Sequence, residues 1–313
     1  MVTNSSCLPR AGAIAYAEKH PPFKELLVHF SSLLCAQRDM ADRLCDAFTD
    51  ADLSNDAVAL AGEPVAMSLA PALFLSAFRR SAQSIWPLMG KEFPMLQSPL
   101  RALEKQIMND DWCMDCLRAA VRGEAEGLEQ AAKTANVPPE VLLTALRAAY
   151  GPCISALRPK LAGQSSVVLW RKCFCPICGS DPDIGTLELH PEEGDFVVST
   201  SGQAWLHCPQ CEQHWRFTRV LCPACGNKEN DKLVRLSLPE TPNEHIYACD
   251  ACRRYLPCLD LTALPDGDGG PDLYFAALKL VHLDAIAQEH GYTPLSPVPW
   301  ATFGFVDERK QTA

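Results

Sequence analysis

Cys-x-x-Cys pairs crowd into one stretch of this chain and limit its architecture more than any other feature. Ten of the 16 cysteines lie between Cys173 and Cys258. The pairs in this stretch are Cys175/Cys178 in CPICG, Cys208/Cys211 in CPQC, Cys222/Cys225 in CPACG and Cys249/Cys252 in CDAC. Two intervening residues let both thiolates leave a tight turn in one direction and occupy two corners of a tetrahedron. Proline after the first cysteine favours the turn, and glycine after the second allows a positive φ. The pattern predicts two four-cysteine metal sites, with redox dithiols and disulfides as the alternatives.

The ten residues between the second and third pairs indicate how the pairs combine. Within the segment 214–220 (HWRFTRV), Trp215, Phe217 and Arg219 alternate with Arg216, Thr218 and Val220, which predicts an extended strand. Seven strand residues span roughly 23 Å, which is too far for sulfurs on one ion. We therefore expect sequential pairing, with the interleaved pairing of cross-braced zinc domains as the alternative. Site 1 would consist of Cys175, Cys178, Cys208 and Cys211, and site 2 of Cys222, Cys225, Cys249 and Cys252.

Four sulfur ligands fit either zinc or a single iron, and ligand type alone does not separate the two metals. The turns CPICG and CPACG resemble those of rubredoxins, which hold one iron between two such turns. The residues therefore predict two bound metal ions and leave their identity open.

The segments before the cysteine-rich region predict helices. The stretch FKELLVHFSSLLCAQRDMADRLCDAF has leucines at helical spacing, and APALFLSAFRRSAQSIW should end before Pro87. Ser98 as N-cap and Pro99 at the first helical position predict one helix over 98–121. A further helix should start at 138–139 and be kinked or interrupted at 151–152, where Gly and Pro follow each other.

From residue 167 onward, the sequence predicts short strands and turns. The predicted strands are TLELH, FVVST, AWLHC, HWRFTRVL, KLVRLSL and HIYAC. After LPDGDGGP, the segment DLYFAALKLVHLDAIAQEHG predicts one helix that ends at Gly291, before a proline-rich tail. We expect a multidomain α and β protein, with an N-terminal α-helical array followed by two tandem rubredoxin-like or zinc-ribbon-like metal modules and a C-terminal helix. The predicted boundaries are 1–165 for the helical domain, 166–219 and 220–265 for the two modules, and 266–313 for the C-terminal helix and tail, packing on the rest.

Four further cysteines have simple interpretations as core residues. Cys113 and Cys116 form another pair, but in a helical stretch without Pro or Gly, where two cysteines are usually part of the core. A metal or redox role for this pair is the alternative. Cys173 and Cys258 flank the metal region, and packing is favoured over a ligand role because both sites are complete without them.

Histidines and acidic pairs near these motifs also have simple interpretations. His207 and His214 could replace a cysteine ligand, but each site already has four cysteines, so we expect His214 to face a neighbouring polar group or water. The acidic pairs at 110–111 and 192–193 resemble acid–base dyads. Adjacent residues do not share a face of a helix or strand, so solvated surface is the better interpretation.

Charge and motifs argue against several classes of function. The net charge is −10, and residues 166–265 contain thirteen acidic and nine basic residues. Nucleic acid and anionic membranes both favour an excess of Lys and Arg. No apolar run approaches the roughly 20 residues of a membrane span, and the first residues do not look like a secretory signal, so we expect a cytoplasmic protein. No phosphate loop, nucleophile elbow or metalloprotease motif occurs, so we expect no enzymatic activity.

The order of these motifs resembles a known family. A helical half is followed by CPICGSDP, LHCPQCEQHWRFTRVLCPACGN, YACDACRRYLPCLDL and a closing helix, and HPPFKELLVHFSSLLCAQ lies near the start. This arrangement is similar to the formate dehydrogenase accessory proteins (the FdhE family) over nearly the whole chain. The resemblance implies a helical array with two rubredoxin-like modules, and it places the metal-binding cysteines at the eight positions of sites 1 and 2. It also favours iron over zinc, and it gives the extra pair Cys113/Cys116 no role.

The resemblance implies a cytoplasmic, non-catalytic factor that is needed to produce active respiratory formate dehydrogenase. Members of the family bind the catalytic molybdenum subunit before its export by the twin-arginine route. Two alternatives remain. One is a rubredoxin-like iron protein that passes electrons to that client, which requires iron because zinc has no redox chemistry. The other is a zinc-ribbon protein that binds nucleic acid. This alternative predicts binding to DNA or RNA that weakens steeply as the salt concentration rises.

Overall fold

The computed structural model describes residues 16–18, 21–49, 53, 60–189, 202–263 and 270–297. The chain divides into two compact units. Unit 1 comprises Met1–Val168 together with Pro176–Gly179, and unit 2 comprises Leu169–Cys175 together with Ser180–Ala313. Among the described residues, no helix combines the length and the apolar character that a membrane crossing needs.

The described part of unit 1 is helical. Its helices are α1 Lys24–Leu44, α2 Leu75–Glu92, α3 Gln97–Gln106, α4 Asp110–Arg122, α5 Ala125–Ala135, α6 Pro139–Leu161 and the short α7 Ser165–Val168. Single 3-10 turns lie at Pro21–Phe23, Cys45–Phe48, Val65–Ser68, Pro71–Phe74 and Pro94–Leu96. Three of these turns begin with proline and lead directly into α1, α2 and α3. Proline suits such a position because the first turn of a helix does not use its N–H groups.

Prolines inside the helices have less effect than the sequence predicts. Helix α2 continues through Pro87 to Glu92, so the predicted end before Pro87 is wrong. Helix α6 passes Pro152 without interruption. Both Pro152 and its neighbour Gly151 are buried. Packing of the surrounding helix therefore offsets the hydrogen bond that proline removes.

The predicted helix over 98–121 is two helices. The side-chain oxygen of Asn109 accepts a hydrogen bond from the Trp112 backbone N–H at 3.2 Å and caps the start of α4. Helix α3 already begins at Gln97, so Ser98 is not its N-cap.

Two tryptophans fix the core of unit 1. The rings of Trp86 on α2 and Trp112 on α4 meet edge to face, with centroids 6.4 Å apart. Trp86 Nε1 donates to the Ala145 carbonyl at 2.8 Å, and Trp112 Nε1 donates to the Ala131 carbonyl at 3.0 Å. Each indole thus buries a large apolar surface while its single polar group is satisfied.

The described part of unit 2 is built on one mixed sheet. Its strands are β1 Ile184–Glu188, β2 Gln203–His207, β3 His214–Phe217, β4 Leu233–Ser237, β5 Glu244–Cys249, β6 Arg254–Asp260 and β7 Thr293–Pro294. The strand order is β3-β2-β1-β6-β5-β4, and β7 pairs with β6. A 3-10 turn at Asn230–Lys232 precedes β4.

The sheet consists of two antiparallel meanders, β1-β2-β3 and β4-β5-β6, joined by the parallel pairing of β1 with β6. The sequence predicts a meander of TLELH, FVVST and AWLHC and a hairpin of KLVRLSL with HIYAC. It predicts neither strand β6 nor the pairings of β2 with β3 and of β1 with β6. Strand β3 ends at Phe217, and Val220 has a φ of 57°, so the predicted strand through 220 is too long. The predicted strand FVVST lies outside the described residues.

The predicted C-terminal helix is divided into α8 Leu273–Lys279 and α9 Val281–Glu289, with a break at Leu280. Gly291, with a φ of 76°, follows the second helix as predicted. Both helices contribute to an apolar cluster with the sheet, formed by Ile184, Ile246, Ala248, Tyr255, Leu259, Ala276, Leu280, Leu283, Ala287 and Tyr292. Within this core the Tyr255 hydroxyl donates to the buried Asp284 carboxylate at 2.7 Å. The predicted fold class, a helical N-terminal region followed by a cysteine-rich part with strands and closing helices, is confirmed.

Candidate metal centres

Sequential cysteine pairs come together in the structure. The sulfurs of Cys175, Cys178, Cys208 and Cys211 all lie within 4.8 Å of one another, and so do those of Cys222, Cys225, Cys249 and Cys252. In each set the first pair precedes a meander and the second pair follows its second strand. Because two antiparallel strands return the chain to its origin, the second pair arrives beside the first.

The sulfur separations match those of a tetrahedral metal site. Cys175 Sγ lies 3.5 Å from Cys211 Sγ in site 1. In site 2, Cys222 Sγ lies 3.7 Å from Cys252 Sγ, and Cys225 Sγ lies 3.8 Å from Cys249 Sγ. Metal–sulfur bonds of about 2.3 Å arranged as a tetrahedron place neighbouring sulfurs about 3.8 Å apart. Both sets therefore fit a zinc or single iron ion.

All four turns share one backbone conformation. The residue after each second cysteine has a positive φ, namely Gly179 at 79°, Glu212 at 60°, Gly226 at 72° and Arg253 at 59°. The predicted use of glycine at positive φ is confirmed at the two CPxCG turns, whereas Glu212 and Arg253 adopt the same conformation without glycine. The backbone N–H of Glu212, Gly226 and Arg253 donates to the carbonyl of the first cysteine of its pair, at 2.8–3.0 Å.

Backbone N–H groups also point at the sulfurs. Gln210 N–H donates to Cys208 Sγ and Ala224 N–H to Cys222 Sγ, both at 3.4 Å. Burial opposes ionisation of Cys249, yet N–H groups of Cys252 and Ala251 place the pKa of its thiol below the ordinary value. Such bonds stabilise thiolates and tune a bound metal, because they withdraw charge from the ligand sulfur.

Neither candidate histidine is among the clustered ligands. His207 is buried, and its Nδ1 lies 2.8 Å from Asp183 Oδ1. His214 Nε2 lies 3.1 Å from Thr186 Oγ1 and 3.4 Å from Glu188 Oε1. The expectation that His214 faces a polar neighbour is confirmed.

The remaining cysteines are mostly packed. Cys113 and Cys116 are fully buried on α4, Cys113 Sγ donates to the Ile107 carbonyl at 3.1 Å, and burial raises the pKa of both thiols. Burial raises the pKa of the Cys258 thiol to about 12. Thiols that stay protonated are poor nucleophiles and poor ligands, so these positions fit the predicted core role. Cys173 is half-buried, and burial raises the pKa of its thiol as well.

The two acidic pairs differ in what the structure describes. Asp110 is exposed and forms an ion pair with Arg79 at the start of α4, which fits the predicted surface role. The pair at 192–193 lies outside the described residues.

Gly185 on β1 has a packing role that the sequence does not predict. It lies opposite Cys258 on β6, and a Cβ atom at this position would come within 2.8 Å of Cys258 Sγ. The predicted strand TLELH starts one residue after Gly185, whereas the observed strand starts at Ile184 and includes the glycine. A glycine within a strand often marks a close approach of another part of the chain.

Part of this chain is similar in sequence to proteins named FdhE or FdhE homolog. The chain is 34% identical over 126 residues to a "Protein FdhE homolog" of Aquifex aeolicus, which is 39% of this chain and 40% of that one. It is 30% identical over 128 residues to "Protein FdhE" of Escherichia coli, covering 41% of this chain and 37% of that one. The matched segment thus spans about two fifths of the length of these curated relatives. No family model matches the chain.

A solved structure shares the fold. The crystal structure of the FdhE protein from Pseudomonas aeruginosa superposes with a TM-score of 0.56 over 92% of this chain and 93% of that one, at 22% sequence identity. The sequence matches and this shared fold together confirm the resemblance to the FdhE family.

Proposed function

We propose that this chain, which resembles the FdhE proteins in both sequence and fold, is a non-catalytic accessory factor for the production of active formate dehydrogenase. The observation that carries the proposal is the pair of four-cysteine clusters on one continuous sheet. Relatives named FdhE match a segment of this chain at up to 34% identity, which supports assigning it the same kind of role.

Each cluster would hold one metal ion, iron or zinc. Cys175, Cys178, Cys208 and Cys211 are the proposed ligands of site 1, and Cys222, Cys225, Cys249 and Cys252 those of site 2. Such an ion supplies folding energy to a small module, and iron would add a one-electron couple. The protein's own contribution is geometric, because the turn before the first strand of each meander and the turn after its second strand bring the four sulfurs together.

The proposed client is the catalytic molybdenum subunit of respiratory formate dehydrogenase. Binding would take place in the cytoplasm, before the twin-arginine route exports the folded subunit. The family resemblance supports this step. The two metal ions would help client binding by holding the turns and strands of unit 2 in one arrangement. A fixed surface loses less conformational entropy when a partner binds.

A deletion strain tests the function. Loss of this protein should abolish formate dehydrogenase activity, and the intact gene should restore it. Ser substitutions of Cys208 in site 1 or Cys249 in site 2 should fail to restore activity and should weaken co-purification of the catalytic subunit. Cys45→Ser is the matched control, since Cys45 is an exposed free cysteine outside both clusters. Full formate dehydrogenase activity in the deletion strain would overturn the proposal.

Electron transfer is a second candidate function. If iron is bound, the N–H donors to Cys208 and Cys222 would contribute to its reduction potential. Hydrogen bonds to ligand sulfur are one of the factors that set the potential of iron–sulfur centres. Protein purified without oxygen should then contain iron and show a reversible couple by voltammetry. Zinc in both sites would exclude this function.

A further inference from the structure

The two proposed sites have the same ligands but differ in exposure. In site 1, Cys175, Cys208 and Cys211 have no exposed surface, and Cys178 is half-buried. In site 2, Cys222 and Cys249 are buried, Cys252 is half-buried and Cys225 is exposed. The difference lies in the second cysteine of each CPxCG turn, where Cys178 and Cys225 are counterparts.

Residues around the two turns explain this difference. In the first turn the carbonyls of Pro176 and Ile177 accept hydrogen bonds from the N–H groups of Val65 and Ala66, at 2.9 and 2.8 Å. Ile177 also has no exposed surface.

The CPACG turn at 222–226, the third of the four along the chain, has no comparable hydrogen bonds to another segment among the described residues. Ala224 is the counterpart of Ile177 and is exposed. A Cβ atom on Gly179 would come within 2.9 Å of Pro64 Cγ, whereas one on Gly226 would meet nothing within 4 Å. The first turn is therefore packed on one side at Gly179, whereas no described residue other than its chain neighbours lies within 4 Å of a Cβ atom placed on Gly226.

We propose that site 2 is the exchangeable metal site and that Cys225 is the ligand at which it opens, while site 1 retains its ion. This inference rests on the proposed binding of one ion by each cluster. Ligand exchange at a tetrahedral ion requires an incoming donor to approach the metal or to replace a departing thiolate. Cysteine reactivity follows exposure, so a chelator or an electrophile should reach Cys225 before any other ligand.

Alkylation offers a direct chemical probe of this difference. With iodoacetamide, a thiolate sulfur forms a bond to carbon and iodide leaves. The resulting thioether is a weaker ligand than the thiolate, so modification of Cys225 should release the ion of site 2. Peptide mapping at low reagent excess should find Cys225 modified first and Cys178 protected.

Metal release provides the quantitative test. The full chain, loaded with two zinc ions, is mixed with the coloured chelator 4-(2-pyridylazo)resorcinol. One ion should leave at least about tenfold faster than the other, because exposure governs access to the ligands. Cys225→Ser should remove the fast ion, and the matched variant Cys178→Ser should keep it. Ala224→Ile gives the CPACG turn a side chain as large as Ile177 in the CPICG turn, and it should slow the release of the fast ion.

The outcomes distinguish failure of this inference from failure of the proposal that each four-cysteine cluster binds one ion. Two ions released at equal rates, or modification of Cys178 as fast as Cys225, would overturn the inference while leaving both metal sites intact. Fewer than two ions bound at the start would instead contradict the proposed sites. The alkylation test uses the unmodified protein, so it stands even if a serine variant fails to fold.

Discussion

Cys258 on β6 is paired with Gly185 on the neighbouring strand β1, and a Cβ atom on Gly185 would lie 2.8 Å from Cys258 Sγ. This contact lies where the parallel pairing of β1 and β6 merges the two meanders into one sheet. The absence of a side chain at Gly185 leaves room for the Cys258 side chain where the two strands pair.

Substitution of Gly185 should weaken this junction. Gly185→Ala should lower the free energy of unfolding by about 1–3 kcal/mol through overpacking, as measured by urea denaturation. The double variant Gly185→Ala/Cys258→Ala should recover much of the loss, since the shorter side chain makes room. Gly163→Ala is the control, because a Cβ atom there would meet nothing within 4 Å. Additive effects of the two substitutions would contradict the proposed contact.

The two CPxCG turns should tolerate alanine differently. Gly226→Ala should cost about 1 kcal/mol, because its φ of 72° is unfavourable for a side chain. Gly179→Ala has the same backbone cost and an added clash with Pro64 Cγ at 2.9 Å, so it should destabilise more. Thermal melts of the two variants test the order. Equal losses would show that Pro64 does not press on the turn.

His245 should make stability depend on pH. Burial, aided by the positive charge of Arg235, lowers the pKa of His245 to about 4, while Asp260 acts in the opposite direction. The unfolded state takes up this proton near pH 6.5, so the contribution to stability is complete above that pH. It is lost as pH falls from about 6.5 to about 4, with a slope of up to about 1.4 kcal/mol per pH unit.

The His245→Gln variant isolates this effect. Between pH 6.5 and 4, its free energy of unfolding should fall less steeply than that of the unmodified protein, when both are measured by urea denaturation. Above about pH 7 the two slopes should agree. Identical slopes throughout the acid range would contradict a buried neutral His245.

The Tyr255 hydroxyl should stabilise the closing helices on the sheet. It donates to the buried Asp284 carboxylate at 2.7 Å. Tyr255→Phe should cost about 1–3 kcal/mol, since a buried acceptor loses its donor. Tyr292→Phe is the matched control, because the Tyr292 hydroxyl donates to the more exposed Asp250 at 2.8 Å. Hydrogen exchange on 281–289 should speed up in the first variant, and no change there would contradict this role.

Local patterns in the sequence were enough to predict the two cysteine clusters. The spacing of each pair, the glycines after Cys178 and Cys225, and the hairpin-like segments between pairs all act over short distances, so a single sequence reveals them. The sequential combination of pairs follows from the same patterns, and the sulfurs meet as expected. Binding of a metal by these eight cysteines stays a prediction, as do the domain boundaries.

Longer-range features could not be predicted. The parallel pairing of β1 with β6 joins segments far apart in the chain, and periodicity does not record such partners. The positive φ of Glu212 and Arg253 could not be predicted, because neither residue is a glycine. Tertiary packing likewise decided the helices, since α6 continues through Pro152 against the local preference.

Metal content tests the central claim most directly. Mass spectrometry of the protein, purified without oxygen and sprayed under native conditions, should find two metal ions per chain. Ser substitution of Cys208 should leave one ion, and so should substitution of Cys249. Iron in both sites would keep electron transfer open, and zinc would leave a structural role. Fewer than two ions in the unmodified protein, or loss of both ions from either single variant, would contradict two independent four-cysteine sites.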